Sequence, residues 1–343
     1  MNVDKNYCMS SFLQFRYVFE DKVFKKDLVP NYVKPNQIYE IKNCNDLDNA
    51  IKDYIKNNVD DKTALMLSGG IDSAILASYL PKGTKVFTLK CIADEPTTDE
   101  TTRAKLISKM NGLDQEIIEV NWSDYEKYIP ILLEHKKAPF HSIEVQIYKA
   151  ALRAKELGYN KLLFGESADA IFGGLDGLLS KDWSFKEFTE RFNFAPVEKI
   201  LKKPNLVLSP YKSCINETSK IDVHKFINTY FFVESINSYF NACSCAEVQF
   251  LSPYSSMKMA CPLDLNRIRS GDSKYLVREL FKRKYPKLKM AKKTPMPRPM
   301  GLWLKSWKGP ERYEFIKNCH ESLTGDQKWL VYILEKFLDY FDV

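Results

Sequence analysis

The sequence of 343 residues lacks several patterns that mark whole classes of protein. Its eight cysteines form no C-x-x-C pair and its four histidines show no H-x-x-x-H spacing, so neither a zinc site nor a paired redox site is predicted. No run of about 18 apolar residues could cross a bilayer. The N-terminus, MNVDKNYCMS, has no basic stretch followed by an apolar core. We therefore expect a cytoplasmic protein with reduced thiols and no membrane partner.

An excess of charge of one sign is also missing. Lys and Arg number 51 against 44 Asp and Glu, so the formal net charge is +7. This mildly basic balance permits phosphate-bearing ligands but is too weak to predict nucleic-acid binding by itself. The hydrophobic fraction of 45% suffices for a sizeable core, and a chain of this length forms one large domain or two.

Strand and helix patterns alternate in the first half of the chain. Apolar runs predict buried strands, and apolar residues at helical spacing predict the helices between them. The predicted order is helix 46–58, strand 63–68, helix 72–80, strand 85–91, helix 99–111, strand 115–120, helix 142–157 and strand 161–165. Such alternation indicates an α/β fold with a doubly wound parallel sheet, whose ligand site lies at the carboxyl ends of the strands.

Three regions are predicted from these patterns. Residues 1–45 should form an N-terminal arm of short extended pieces such as FLQFRYVF, and residues 46–180 the nucleotide-binding core. After about residue 180 the strand signals fade, and apolar residues recur at helical spacing, as in 222–240 and 272–285. Residues 181–343 are therefore expected to be a mostly helical C-terminal part that completes the substrate site.

Two turns rich in small residues fall at predicted strand ends. The first, SGGIDS at 68–73, opens a helix, so it offers backbone N–H groups and the positive end of the helix to an anion. Its glycines permit close approach, its serines can donate hydrogen bonds, and Asp72 could hold Mg²⁺. The G-K-S/T ending of a Walker A loop is absent. Phosphate binding is favoured over the alternative, a tight turn with a Ser or Asp helix cap.

SGGIDS resembles the pyrophosphate-binding loop (PP-loop) of enzymes that cleave ATP between the α and β phosphates, among them asparagine, NAD and GMP synthetases and several tRNA-modifying enzymes. The second turn, LLFGESADAIFGG at 162–174, resembles the G-E-G-A-D-E-x-F-G-G signature of the asparagine synthetase branch. Looser matches follow in KYLVR at 274–278 and KKTPMPRPMGLWL at 292–304. The resemblance implies a PP-loop fold and an enzyme that activates a carboxylate as an acyl-adenylate, which an amine then attacks to release AMP.

The resemblance also implies roles for individual residues. Asp72 and Asp169 would be the Mg²⁺ ligands, and Lys293, with Lys292 as the alternative, would stabilise charge as AMP leaves. Glu166 would lie near the reacting acyl group. The residues implied to bind ATP are Leu67, Ser68, Gly69, Gly70, Asp72, Ser73, Phe164 and Gly165. From the residues alone, Asp169 could instead cap a helix, Glu166 could complement a helix dipole, and Lys293 could belong to a solvated basic run.

The sequence departs from this family at three points. Asn2 stands where the glutamine-hydrolysing members have their catalytic cysteine, so we expect no glutaminase domain and a nitrogen donor that is ammonia, an amine or the product of a separate glutaminase. Ala170 replaces a glutamate of the second signature. The family motif E-x-R-x-P-F-L-D survives only as a trace, with Glu247 and Gln249, so a carboxylate other than aspartate is expected.

The sequence thus predicts an AMP-forming amide ligase that uses ATP and Mg²⁺ and joins a small-molecule or peptide carboxylate to ammonia or an amine. Two alternatives remain open. A PP-loop tRNA-modifying enzyme is permitted by the basic run near residue 290, although no paired cysteines or RNA-binding motif supports it. A non-catalytic ATP-binding module is suggested by Ala170, although the joint presence of residues 68–73, Asp169 and Lys293 speaks against it.

Overall fold

The computed structural model describes residues 2–19, 22–290 and 296–343. Most of the strands in these residues are short, and all named strand pairs are parallel. The strands in the described part are β1 (Asn2–Val3), β2 (Lys22–Val23), β3 (Tyr39–Ile41), β4 (Thr63–Met66), β5 (Lys85–Cys91), β6 (Asp114–Val120), β7 (Lys161–Leu163), β8 (Gln249–Leu251) and β9 (Met257–Met259).

The main sheet has five parallel strands in the order β6-β5-β4-β7-β8. The longest pairing joins β5 to β6, from Lys85 opposite Asp114 to Cys91 opposite Val120. After β4 the chain adds strands on one side of the sheet, and from β7 it adds them on the other. The direction of winding therefore reverses between β4 and β7, which is where ligands bind in open α/β sheets. The α/β fold with a parallel sheet is confirmed.

Helices cover both faces of this sheet. The helices in the described part are α1 (Lys5–Phe15), α2 (Cys44–Asn58), α3 (Ile71–Ala77), α4 (Thr101–Asn111), α5 (Trp122–Lys136), α6 (Ile143–Glu156), α7 (Ala168–Ile171), α8 (Asp176–Leu179), α9 (Phe185–Phe192), α10 (Val197–Ile200), α11 (Ser209–Lys212), α12 (Val223–Phe226), α13 (Phe232–Cys245), α14 (Leu265–Arg269), α15 (Tyr275–Lys284), α16 (Met300–Trp303) and α17 (Gly325–Tyr340). A π-helical turn, Ile227–Phe231, joins α12 to α13, and 3₁₀ turns occur at Tyr254–Ser256 and Cys319–Ser322.

Alternate residues of β4 belong to two separate apolar cores. Ala64 and Met66 pack into a core with α5, α6 and α17, whereas Leu65 packs into a core with α2, α3 and α15. Side chains on a strand alternate between its faces, so each face of the sheet has its own core. The sequence reads as a continuous apolar run in such a strand because both faces are buried.

The N-terminal arm differs from the prediction. FLQFRYVF was expected to be extended, but its first four residues end the helix α1. Asp4 caps this helix by accepting a hydrogen bond from the backbone N–H of Tyr7, and every residue from Tyr7 to Phe15 is buried. A helix buried on all sides has no polar face, so the helical period is missing from its sequence. Further along, β3 confirms an extended segment at 39–41 and pairs with β9.

The part after residue 180 is mostly helical, as predicted, with one important exception. β8 lies in this part and pairs with β7, from Lys161 opposite Gln249 to Leu163 opposite Leu251. The main sheet thus takes its last strand from the helical part of the chain. Segment 222–240 is helical and its apolar side chains are largely core, as predicted.

Two of the predicted absences can be compared with the structure. No helix among the described residues is long and apolar enough to cross a bilayer. All eight cysteines lie in the described residues, and each is a free thiol. The expectation of unpaired thiols therefore agrees with the structure.

Candidate functional site

The loop after β4 is held in shape by its two serines. Ser73, at the start of α3, accepts a hydrogen bond through Oγ from the backbone N–H of Ser68 at 3.1 Å. The two hydroxyl oxygens lie 2.9 Å apart, and Ser68 Oγ accepts a hydrogen bond from the N–H of Gly70 at 3.1 Å. A Cβ at residue 69 would lie 3.3 Å from Cβ of Glu100 and 3.4 Å from Cβ of Arg103, so the loop packs closely against α4. These contacts fix the loop at the N-terminus of α3, where an anion is favoured.

The second turn packs directly onto the first. A Cβ at Gly165 would lie 2.8 Å from the backbone N of Ser73 and 3.0 Å from Cβ of Asp72. No side chain fits in that space, so glycine is required at this position. The two predicted turns are therefore adjacent in space, although about 95 residues separate them in the sequence.

Lys274 joins the carboxylates of the two turns. Its Nζ lies 2.5 Å and 2.6 Å from the two carboxylate oxygens of Asp72, and 3.0 Å from Oδ1 of Asp169. The three side chains form what we call the strand-end cluster: Asp72, Asp169 and Lys274. The lysine side chain is 8% exposed, while those of Asp72 and Asp169 are 22% and 34% exposed. The acids are thus more accessible than the cation that pairs with them.

The position of Lys274 is fixed by its surroundings. It caps α15, which packs against α2 and α3 through buried residues such as Leu276 and Phe281. Its backbone is left-handed, with φ of 53°, and a Cβ at Gly174 would collide with the Lys274 and Asp169 side chains. Burial opposes the charge of Lys274, but Asp72 and Asp169 outweigh it and raise the pKa of the lysine. The ammonium is therefore charged and held in place.

Glu166 lies between the second turn and α13. Ser235 of α13 donates a hydrogen bond to Glu166 Oε1 at 2.6 Å, and the hydroxyl of Tyr239 also contacts this carboxyl group. Burial raises the pKa of Glu166, although both hydrogen bonds act in the opposite direction. The next residue, Ser167, has a left-handed backbone with φ of 76°, at the place of the second glycine in the G-E-G-A-D-E signature.

The carboxyl end of β8 braces both turns. Ser252 donates a hydrogen bond to the backbone oxygen of Glu166 at 2.8 Å, and Tyr254, which is fully buried, donates one to the backbone oxygen of Asp72 at 3.1 Å. Glu247 lies before β8, near the amino ends of the strands, where its exposed carboxylate pairs with Lys155. In the segment that partly matches E-x-R-x-P-F-L-D, Ser252 and Tyr254 therefore lie at the site, whereas Glu247 lies away from it.

The family model for asparagine synthase matches residues 46–225, which are 180 of the 343 residues. This chain belongs to the asparagine synthase family. The resemblance of its two turns to that family is confirmed, and the matched range contains both turns together with Asp72, Glu166 and Asp169. Lys274 lies outside the matched range.

A curated relative and several solved structures are similar to this asparagine synthase family member. A candidate glutamine-hydrolysing asparagine synthetase from Methanocaldococcus jannaschii is 28% identical over 170 residues, which are 47% of this chain and 31% of the relative. The match thus spans about a third of that relative's length.

The similarity to solved structures is looser. An NH3-dependent NAD synthetase from Campylobacter jejuni is 19% identical over 38% of this chain and 58% of its own, with a TM-score of 0.25. A U34-tRNA thiolase from Methanococcus maripaludis is 14% identical over 85% and 78%, with a TM-score of 0.33. An NMN synthetase from Francisella tularensis is 16% identical over 73% and 96%, with a TM-score of 0.26. At these scores the overlaps carry no conclusion about chemistry.

The remaining predicted site residues of this family member fall into two groups. The side chains of Leu67 and Phe164 are buried in the two cores beneath the turns; Leu67 also accepts a hydrogen bond from Thr88 through its backbone oxygen. Lys293 and its alternative Lys292 lie outside the described residues. The predicted ATP-binding residues and metal ligands are therefore grouped around one edge of the sheet, while the position of Lys293 stays a prediction.

Sequence reasoning did not assign a role to several residues that shape this site. Lys274 had been noted only within a loose match, and Ser235 and Tyr254 were not singled out. Arg103 of α4 was also missed; it donates hydrogen bonds to the backbone oxygen of Gly69 at 2.8 Å and to that of Lys289 at 2.7 Å. The segment KYLVR at 274–278 pointed to Lys274 only through its family resemblance, and it did not indicate which residues Lys274 contacts.

Proposed function

We propose that this member of the asparagine synthase family is an ATP-dependent, AMP-forming amide ligase. A carboxylate substrate attacks the α-phosphate of ATP, the bond between the α and β phosphates breaks, and pyrophosphate leaves. Ammonia or an amine then attacks the acyl carbon of the acyl-adenylate, and AMP leaves as the amide forms. The substrate is a small-molecule or peptide carboxylate, which we expect not to be aspartate, and a separate glutaminase could supply the ammonia.

The observation that carries this proposal is the convergence of Asp72, Asp169 and Lys274 beside the loop at 68–73. Two acids and one cation come from three distant parts of the chain and meet at the switch point between β4 and β7. Phosphoryl-group chemistry depends mainly on positioning and on charge stabilisation. A loop that presents N–H groups and hydroxyls, with a charged cluster at its edge, supplies both.

The donor set suits Mg²⁺ that is shared with ATP. Two carboxylates, Asp72 and Asp169, would hold the ion, because Mg²⁺ in such sites takes one or two protein carboxylates and completes its shell with phosphate oxygens and water. When bound, it would neutralise phosphate charge and polarise the phosphoryl oxygens. Ser68, Ser73 and the N–H groups of the loop would hold the pyrophosphate portion, and Lys274 would lie next to its negative charge.

Glu166 is suited to the second half of the reaction. An attacking amine must lose a proton, and a carboxylate with a raised pKa is a better proton acceptor than an ordinary one. Ser235 donates a hydrogen bond to Oε1 of Glu166 and thereby orients the carboxyl group. Lys293 is proposed to stabilise the charge that develops on AMP as it leaves.

The proposal is tested by exchange of labelled pyrophosphate into ATP across a panel of carboxylates, because this exchange reports adenylation without knowledge of the amine. We expect at least one carboxylate to support exchange. Asp72→Asn should lower the rate by roughly 100-fold or more, since a charged group at the phosphate region is lost. The control is Asp182→Asn, which removes an exposed acid that pairs with Arg269 away from the cluster.

Exchange with no carboxylate in a broad panel, or equal rates in wild type and Asp72→Asn, would contradict the ligase. The tRNA-modifying alternative would then be examined by RNA binding at increasing salt, because binding through phosphates weakens steeply as salt rises. Nucleotide binding without exchange or RNA binding would favour the non-catalytic module.

A further inference from the structure

We propose that Lys274 excludes free divalent cations from the site between Asp72 and Asp169, so that the metal enters only together with the phosphates of ATP. This rests on the proposed function, because it concerns the metal that would accompany ATP. It adds that the metal binds together with ATP and not before it, and it attributes this order to the side chain of Lys274.

The first observation is that both acids already have a common cation. Nζ of Lys274 contacts both oxygens of Asp72 and one oxygen of Asp169, at 2.5–3.0 Å. A free dication approaching these oxygens would meet a fixed positive charge within about 3 Å of its own position.

The second observation is the small number of protein ligands. No group of three or more His, Cys, Asp or Glu side chains that could hold a metal ion occurs within the described ranges 2–19, 22–290 and 296–343. Mg²⁺ requires about six oxygen ligands, and two carboxylates cannot supply them. The remaining ligands would be water and phosphate oxygens, and ATP would supply the phosphate oxygens.

The third observation is that Lys274 is anchored. Its side chain is 8% exposed, its backbone is held in the left-handed conformation at the start of α15, and Gly174 leaves no free space beside its stem. In the absence of another anion, the ammonium therefore remains beside the two carboxylates. Incoming phosphate oxygens would give the ammonium new partners and would bring the metal with them. ATP thus removes the obstacle that Lys274 presents to the metal alone.

The experiment measures Mn²⁺ binding by electron paramagnetic resonance, first without nucleotide. We expect wild type to bind Mn²⁺ at least tenfold more weakly than Lys274→Met, in which the ammonium beside both carboxylates is removed. Lys284→Met is the matched control, because it removes a lysine at the other end of α15, where Lys284 pairs with Asp48. This variant should bind Mn²⁺ as wild type does. Adding Asp72→Asn to Lys274→Met should abolish the gained binding.

A second measurement uses wild type alone and so does not depend on the folding of a variant. The melting temperature is recorded with Mn²⁺, with α,β-methylene-ATP, and with both together. A ligand that binds the folded state raises the melting temperature. We expect no shift with Mn²⁺ alone and a larger shift with both than with the nucleotide analogue alone.

Tight Mn²⁺ binding to wild type without nucleotide, equal to that of Lys274→Met, would overturn the role of Lys274 and leave the ligase proposal standing. If Lys274→Met gains no Mn²⁺ binding while wild type binds metal and analogue together, the lysine is again not the obstacle. Absence of any joint binding of metal and analogue in wild type would instead count against the proposed function. The two failures are therefore distinguishable.

Discussion

Two clusters of charged side chains in this molecule differ in how deeply their acids are buried. One is the strand-end cluster of Asp72, Asp169 and Lys274. The other, which we call the α13 cluster, lies where α1, α5, α6 and α13 meet. Its members share burial and direct hydrogen bonds; they are Arg16, Lys136, His141, Glu144, Glu234 and Asn241.

The α13 cluster is closed. Glu144, with no exposed surface, accepts hydrogen bonds from Lys136 at 2.6 Å and from Asn241 at 2.5 Å. Arg16 donates to Glu234 at 2.8 Å and contacts His141 Nε2 at 2.5 Å. The acids of this cluster are buried, whereas the side chains of Asp72 and Asp169 are 22% and 34% exposed. Burial makes the α13 cluster structural, while the carboxylates of the strand-end cluster remain accessible to a ligand.

The largest expected effect comes from breaking the closed cluster. Glu144→Gln leaves Lys136 charged, buried and without its ionic partner. Losing one member of a buried ion pair costs about 3–5 kcal/mol, so the free energy of unfolding should fall by that amount in urea denaturation. The rate of pyrophosphate exchange per folded molecule should stay unchanged.

The control is Glu247→Gln, which removes the acid of an ion pair whose glutamate is 79% exposed. Exposed pairs contribute about 0–1 kcal/mol, so this variant should be nearly as stable as wild type. Equal losses from the two variants would mean that burial does not distinguish the pairs. The contrast between closed and open clusters would then be wrong.

A substitution at Gly165, next to the strand-end cluster, should lower stability less than Glu144→Gln does and should weaken ligand binding more. Gly165→Ala places a methyl group 2.8 Å from the backbone N of Ser73, so the two turns must move apart. Such overpacking costs about 1–3 kcal/mol, and affinity for ATP should fall at least tenfold in calorimetric titration. Gly177→Ala is the control, because its methyl group meets only the end of the flexible Arg191 side chain. Normal ATP affinity in Gly165→Ala would show that the turns need not touch.

The smallest effect concerns the pH dependence of stability. His141 faces Arg16, lies near Lys136 and Arg298, and gives its backbone N–H to Glu144. Burial, with these cations, holds the pKa of folded His141 well below its ordinary value of 6.5. The unfolded chain therefore takes up a proton near pH 6.5 that the folded chain refuses, and stability falls as pH falls below 6.5.

His141→Gln keeps a neutral acceptor for Arg16 and removes this titration. Between pH 6.5 and 5.5, wild type should lose about 1 kcal/mol relative to the variant, measured as the difference between urea unfolding free energies at each pH. Parallel pH profiles for the two proteins would mean that folding does not lower the pKa of His141.

Much of the nucleotide-binding half could be predicted from sequence, because its signals are local. Strand β5 was predicted with its observed bounds, and the turns at 68–73 and 162–174 were placed at the strand ends where they occur. Each of these features depends on residues that are close together in the chain. The grouping of Asp72 with Asp169 was implied by the resemblance of the two turns to the asparagine synthetase family, and both carboxylates lie beside Lys274 in the structure.

The features that could not be predicted depend on contacts between distant residues, or they lack a periodic pattern in the sequence. Lys274 lies about 200 residues from Asp72, and no local pattern identifies its partner. Strand β8 has three residues, too few for an alternating pattern to be recognised, and α1 lacks a polar face. Helix α2 was predicted from residue 46 but begins at Cys44 with Asn43 as its cap, because Asn43 and Asp46 both suit the N-cap role.

The late position of β8 has a consequence for how the molecule is made. During synthesis β7 appears long before β8, because about 85 residues separate the two strands. Until residue 251 has left the ribosome, one side of β7 remains an unpaired sheet edge, which is a site for aggregation. Ser252 and Tyr254 follow at once, so the nascent chain completes its sheet and braces both turns in a single late step. Closing so long a loop is slow, and this step is therefore expected to limit the rate of folding.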